Sequence, residues 1–224
     1  SVLMYPEASY SFDGTATPLP DTIGKCLKLL KVPVVLIRTH GAFLRDPLYN
    51  NLKIRQVQVT ADVTYLLSKE DIANMSAKEL QKRIVDEFTF DNFVTGDTNK
   101  FAKTAAIAVA EAPGKIYNPL FIYGKSGLGK THLMHAIGNY IVENSNLRVL
   151  YTTSENFKDD YTSIASTNGA ESSFERADYF KNKYRDVDVL LIDDIQFLVG
   201  AEKTQQGFFH TFNELHSHNK QIII

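Results

Sequence analysis

The sequence predicts an α/β fold whose larger part is built on a parallel sheet. Three observations carry that expectation. Apolar, β-branched runs alternate with stretches of helical periodicity along most of the chain, the pattern of strand–helix–strand units. A Gly-rich turn over 124–129 joins a strand to a helix. The run Val187 to Ile192 is apolar almost throughout, as a strand covered on both faces must be.

Taken in order, Ser1 to Tyr5 reads at once as a buried strand, and Ser9 to Asp21, with Gly14, Pro18 and Pro20, reads as a loop. Thr22 to Lys31 spaces Ile23, Leu27 and Leu30 as an amphipathic helix, on which Cys26 is expected to be a buried small apolar residue. Val32 to Ile37 is β-branched and continuous, which predicts a buried parallel strand. Leu52 to Thr60 alternates like a strand with one face in water. Ser68, with Glu70 and Asp71 behind it, has the chemistry of a helix N-cap. Ser76 caps the next helix, Ala77 to Phe88.

A second stretch starts near Thr89. Thr98 or Asn99 can cap an Ala-rich helix over Lys100 to Glu111, which stops at Ala112-Pro113-Gly114. Strand Leu120 to Tyr123 leads into the Gly-rich turn and a helix from Lys130 to Asn144, with Leu133, Ile137 and Ile141 on one face. Strand Arg148 to Thr152, a polar helical region from Ser154 to Arg185, and the strand Val187 to Ile192 follow. A helix over Lys203 to Ser217, with Phe208, Phe209, Phe212 and Leu215 as its core stripe, and a strand at Gln221 complete the series.

Composition narrows the class. With 224 residues, 44% hydrophobic and 22% charged, the chain is ordinary globular material, which excludes collagen-like and disulfide-scaffold proteins. One cysteine fits a reducing cytoplasm. The longest strongly apolar stretch, Leu29 to Ile37, contains Lys31 and Pro33 and is too short for a membrane span, and no signal-peptide pattern opens the chain. Residues 1–88 carry 11 Lys and Arg against 10 Asp and Glu, and residues 89–224 carry 13 against 16, so contact with nucleic acid calls for a local patch and not a basic domain. Both ends, the apolar start and the closing Gln221 to Ile224, read as cut within strands.

Gly124-Lys125-Ser126-Gly127-Leu128-Gly129-Lys130-Thr131 satisfies G-x-x-x-x-G-K-[ST] between the required strand and helix. Glycines let the backbone N–H groups converge on phosphates, and the helix beginning at Lys130 aims its positive end at the same anion. Lys130 is expected on the β- and γ-phosphates and the Thr131 hydroxyl on Mg²⁺. Val189 to Asp194 reads as a buried strand ending in two acids. Asp193 is placed to hold Mg²⁺ through water, and Asp194 to polarise an attacking water as the catalytic group. His132, His135, His216 and His218 lack Cys or acidic partners at ligand spacing and read as structural or surface residues.

Beyond the loop, Asn118 to Gly124, Thr131 to Gly138, Asn182 to Arg185, Val187 to Leu198 and Phe208 to Asn213 resemble the DnaA family of bacterial chromosomal replication initiators, over residues 89–224. The resemblance implies an AAA+ ATPase core that binds ATP or ADP with Mg²⁺, contacts origin DNA and single-stranded DNA, and self-assembles when ATP is bound. Position by position it implies phosphate binding by Gly124, Gly127, Gly129, Lys130 and Thr131. It also implies adenine contact along Phe90 to Val94, through Asn92, Phe93 and Val94, and single-strand contact by the insertion between Ser154 and Arg185. Lys181, Lys183 and Arg185 in that insertion form a basic cluster suited to phosphates. The family's sensor residues, arginine finger and duplex-reading domain fall beyond Ile224, which leaves hydrolysis by this chain open.

Residues 1–88 differ. Tyr5 to Ser11 followed by Val32 to Val35 resembles the latter part of lysophosphatidate-type acyltransferases, with Glu7 at the substrate-site glutamate and Tyr10 where an arginine is common. The H-x-x-x-x-D motif is absent, since His40 and Asp46 are one residue too far apart and are expected in a loop after the strand. The alternatives to an initiator core are therefore a phospholipid acyltransferase fragment or a non-functional chimera joined near Phe88 to Phe93.

Overall fold

The computed structural model describes residues 23–40, 60–96, 99–124, 128–165 and 170–224. The strand at 1–5, the loop over 9–21, the strand over 52–60 except Thr60, and Gly127 lie outside the described residues. The chain divides into two compact units, one taking the described residues up to Glu87, the other Phe88–Gly124 with Gly129–Ile224. Among the described residues no helix is long and apolar enough to cross a membrane.

The first unit comprises α1 (Ile23–Leu30), β1 (Val34–His40), β2 (Thr60–Leu67), α2 (Lys69–Asn74) and α3 (Ala77–Val85). Ser68 and Ser76 each cap as expected. The hydroxyls accept the N–H groups of Asp71 and Glu79, whose carboxylates take the N–H groups of Ser68 and Ser76 in return. Those hydrogen bonds hold both carboxyls below their ordinary range. Ile23, Leu27, Leu66, Leu67, Ile72, Leu80 and Ile84 make the core.

Three expectations need correcting here. The strand Val34–His40 is antiparallel to β2, not parallel, and Val35 on β1 and Val63 and Tyr65 on β2 stand exposed. A β-branched run fits either direction, and a two-stranded ladder with helices on one face leaves the other in water. His40 ends β1 and does not lie in a following loop. Cys26 is exposed, because the buried stripe of α1 runs through Ile23 and Leu27 and Cys26 sits about 100° away from Leu27.

The second unit carries α4 (Lys100–Glu111), α5 (Lys130–Asn144), β3 (Val149–Thr153), α6 (Ser154–Ala165), α7 (Ala170–Tyr184), β4 (Val189–Asp193), α8 (Glu202–Ser217) and β5 (Gln221–Ile223). The strands are parallel in the order β3-β4-β5. Leu120 to Tyr123 extends this sheet beyond β5 less fully than expected, through a parallel bridge at Leu120 and the hydrogen bond from Ile122 N to Ile224 O. Two side-chain amides, one of them the buried Gln221, fix that edge. Gln221 accepts from Gly114 N at 2.8 Å and donates to Tyr117 O at 3.1 Å, while Asn118 donates to Lys220 O at 2.8 Å and accepts from Ile222 N at 3.0 Å.

Burial follows the two-residue period of β4. Val189 and Leu191 join Leu133, Ile137 and Ile141 of α5 and Ala106 and Val109 of α4 in one core. Leu190 and Ile192 join Phe157, Phe180, Tyr184 and Leu215 in the other. Every residue of β4 is buried, which is why this strand was the most legible in the sequence. On α8, Leu215 is buried but Phe209 is 61% exposed, a correction to its core reading, since it lies one residue off the row formed by Phe208 and Phe212. Gly207 lets α8 approach α6 closely, because a Cβ there would meet the Tyr161 ring at 2.3 Å.

Candidate functional site

Gly129 begins the site. Its φ of 84° is left-handed, its carbonyl accepts the Leu133 N–H, and a Cβ would stand 2.7 Å from Phe93 Cε2. No other residue type fits both demands. Gly129→Ala is expected to cost about 2 kcal/mol, from left-handed strain and the displaced Phe93 ring, and thermal melts will read it.

From there α5 projects Lys130 and Thr131. Lys130 Nζ reaches back across the turn to Gly124 O at 3.0 Å. The Thr131 hydroxyl, largely buried, donates to Asp193 Oδ2 at 2.9 Å across the sheet's end, 62 residues away in sequence. Tyr151 OH donates to the same oxygen at 3.0 Å, and Asp193 Oδ1 accepts the Asp194 N–H at 2.9 Å. Asp194 turns the chain with φ 57°, ψ 43°. Its carbonyl accepts Ser154 Oγ at 2.5 Å, and its carboxylate accepts Gln196 Nε2 at 3.0 Å. Burial and the neighbouring Asp193 charge push the Asp194 carboxyl up, partly offset by Gln196 and Lys130.

The segment expected against adenine packs on the first turns of α5. Phe93 is buried edge-on against His132, whose Nε2 meets Thr89 O at 2.8 Å, so the ring donates from that nitrogen. Asn92 N–H donates to Thr89 Oγ1 at 3.2 Å. Val94 is exposed, and its carbonyl accepts Asn99 Nδ2 while Asn99 Oδ1 takes Gly96 N–H. Asn99 therefore shapes this segment; it makes no side-chain cap on α4. Phe88 also rests on His132 and His135, which places Phe88 to Phe93 within the second unit.

The structure thus brings Gly129, Lys130, Thr131, Asp193, Asp194 and Phe93 to one end of the sheet. Two hard oxygen donors, the Thr131 hydroxyl and the Asp193 carboxylate, suit a cation of the Mg²⁺ kind that draws its remaining ligands from phosphates and water. Among the described residues no three His, Cys, Asp or Glu side chains gather into a cluster that could hold a metal. Lys181, Lys183 and Arg185 stand apart from this site, at the end of α7. Lys183 pairs with Asp160 at 2.6 Å and Arg185 with Glu214 at 2.9 Å, while Lys181 is exposed. Sequence reasoning passed over Tyr151 and Ser154. Only the parallel register of β3 on β4 brings them to Asp193 and Asp194, and no spacing motif encodes that register.

Residues 84–224 match the sequence profile of a family described as the bacterial DnaA ATPase domain. Among solved structures, domain III of the Thermotoga maritima replication initiation protein DnaA is 52% identical, over 62% of this chain and 55% of that one, with a TM-score of 0.56. A replication initiator DnaA bound to AMPPCP and single-stranded DNA is 39% identical, over 61% of this chain and 40% of its own, with a TM-score of 0.55. AMPPCP-bound DnaA from Aquifex aeolicus matches at 39% identity over 61% and 41%, with the same TM-score. The chain spans about half the length of the first of these and two fifths of the others. None of these relatives is an acyltransferase, and Glu7 and Tyr10, which carry that resemblance, lie outside the described residues.

Proposed function

Because the chain belongs to the bacterial DnaA ATPase domain family, we propose that it binds ATP and ADP at the N-terminus of α5 and serves as the nucleotide-responsive core of a replication initiator. The observation that carries this reading is the Thr131–Asp193 hydrogen bond, which joins the phosphate loop to the acid-tipped strand β4. Lys130, released from Gly124 O, would pair with the β- and γ-phosphates. The α5 amides and helix dipole would hold the same anion. Mg²⁺, when bound, supplies charge neutralisation on the phosphates, and Thr131 and Asp193 are the residues to hold it. Asp194 is the group to orient a water. The adenine lies along Asn92 to Val94.

Binding of a fluorescent ATP analogue by this chain tests the reading. Lys130→Ala is expected to weaken it on the order of a hundredfold, the worth of the charge-assisted bonds removed. Equal affinity in the variant, or none in the parent chain, refutes the assignment.

The wider role includes ATP-dependent self-assembly on origin DNA and contact with single-stranded DNA through α6 and α7. A relative bound to AMPPCP and single-stranded DNA supports nucleotide binding and the single-strand contact. Lys181 is the exposed cation of its cluster, whereas Lys183 and Arg185 would have to leave carboxylate partners. Lys181→Ala is expected to lower the slope of log affinity against log salt by about 0.7 for a single strand, one phosphate contact, as measured by titration at several salt concentrations.

A further inference from the structure

Asp193 Oδ2 accepts two hydroxyls, from Thr131 at 2.9 Å and from Tyr151 at 3.0 Å. They differ in what they can do. Thr131 is the second residue of α5, and its hydroxyl would be the one to turn toward a cation bound with nucleotide. Tyr151 sits in the middle of β3, opposite Leu191 in the parallel ladder, and its ring lies on His135 with centroids 4.0 Å apart. Its hydroxyl therefore has a fixed approach to the carboxylate, set by strand register on one side and by α5 on the other. Asp193 Oδ1 is held separately by the Asp194 N–H at 2.9 Å.

We propose that Tyr151 is a positioning residue for the nucleotide site, keeping the Asp193 carboxylate aimed when the Thr131 hydroxyl turns away from it. This rests on the nucleotide-binding reading above and deepens it. Without the phenol, Oδ2 keeps no donor fixed by the sheet, and the carboxylate swings about its last side-chain torsion. The loss then falls on the cation-dependent part of nucleotide affinity alone, because Lys130 and the α5 amides hold phosphate without Asp193.

The test is Tyr151→Phe, which keeps the ring and its contact with His135 and removes one oxygen. ATP affinity is measured on the full chain in EDTA and across a Mg²⁺ titration, with thermal melts alongside. The expected result is unchanged affinity in EDTA and a roughly tenfold rise in the Mg²⁺ concentration at half effect, the size of one hydrogen bond to a charged group. Equal losses in EDTA and Mg²⁺, or a variant that does not fold, would make the hydroxyl structural and overturn the proposal. An unchanged Mg²⁺ midpoint overturns it as well. If the parent chain binds no nucleotide under either condition, the underlying reading of the site fails, an outcome distinct from failure of Tyr151 alone.

Discussion

Leu191→Ala is expected to destabilise the second unit by about 2–5 kcal/mol, read as a fall in urea midpoint at unchanged slope. Leu191 is fully buried in the core shared with α4 and α5, and its Cδ1 would stand 3.7 Å from a Cβ at Gly138, so the helix packs close over it. Truncation opens a cavity between β4 and α5, the two elements that carry Asp193 and Thr131. A domain of ordinary stability holds about 5–15 kcal/mol in total, so this one change removes a large share. A loss below about 1 kcal/mol would mean that the sheet and α5 close the gap, against this expectation.

Acid is expected to weaken the same unit through His135. Burial is the main cause that lowers its pKa to about 4 from 6.5; the Asp193 charge opposes this and His132 adds to it slightly. Above pH 6.5 the ring is neutral folded and unfolded, so its contribution to stability is fully present. As pH falls below 6.5 the unfolded chain takes a proton that the folded one refuses, and stability declines until about pH 4, where the loss levels off. That interval is worth about 3 kcal/mol. His135→Phe keeps a ring between Phe88 and Tyr151 and removes the titration. Its stability between pH 7 and 5 is expected to stay flatter than that of the parent, and parallel pH profiles would disprove the assignment.

Much of the second unit was legible because its local signals agree. The Ala-rich helix falls on Lys100–Glu111 and the loop helix on Lys130–Asn144, with the expected bounds, since composition and apolar spacing point the same way there. The Gly-rich loop motif and the paired acids were legible as patterns, because fixed spacing and strand–turn–helix context encode them in contiguous residues. Tyr151 and Gln221 were not. One acts through parallel register and the other as a buried amide tying the turn before Leu120 to β5, and neither property has a local pattern. The direction of β1 escaped for the same reason, since pairing partners and not side-chain character decide whether a ladder runs parallel or antiparallel.

The bond from Ser154 Oγ to Asp194 O has a mechanical consequence. Ser154 is the first residue of α6, so the helix is rooted on the turn that carries the second acid. Twelve residues at about 1.5 Å each give a lever of about 18 Å. A tilt of about 5° at the root then sweeps the far end through about 1.6 Å. The outer end of α6 thus magnifies displacements that are hardly measurable at Asp194, and a probe placed there would register them first.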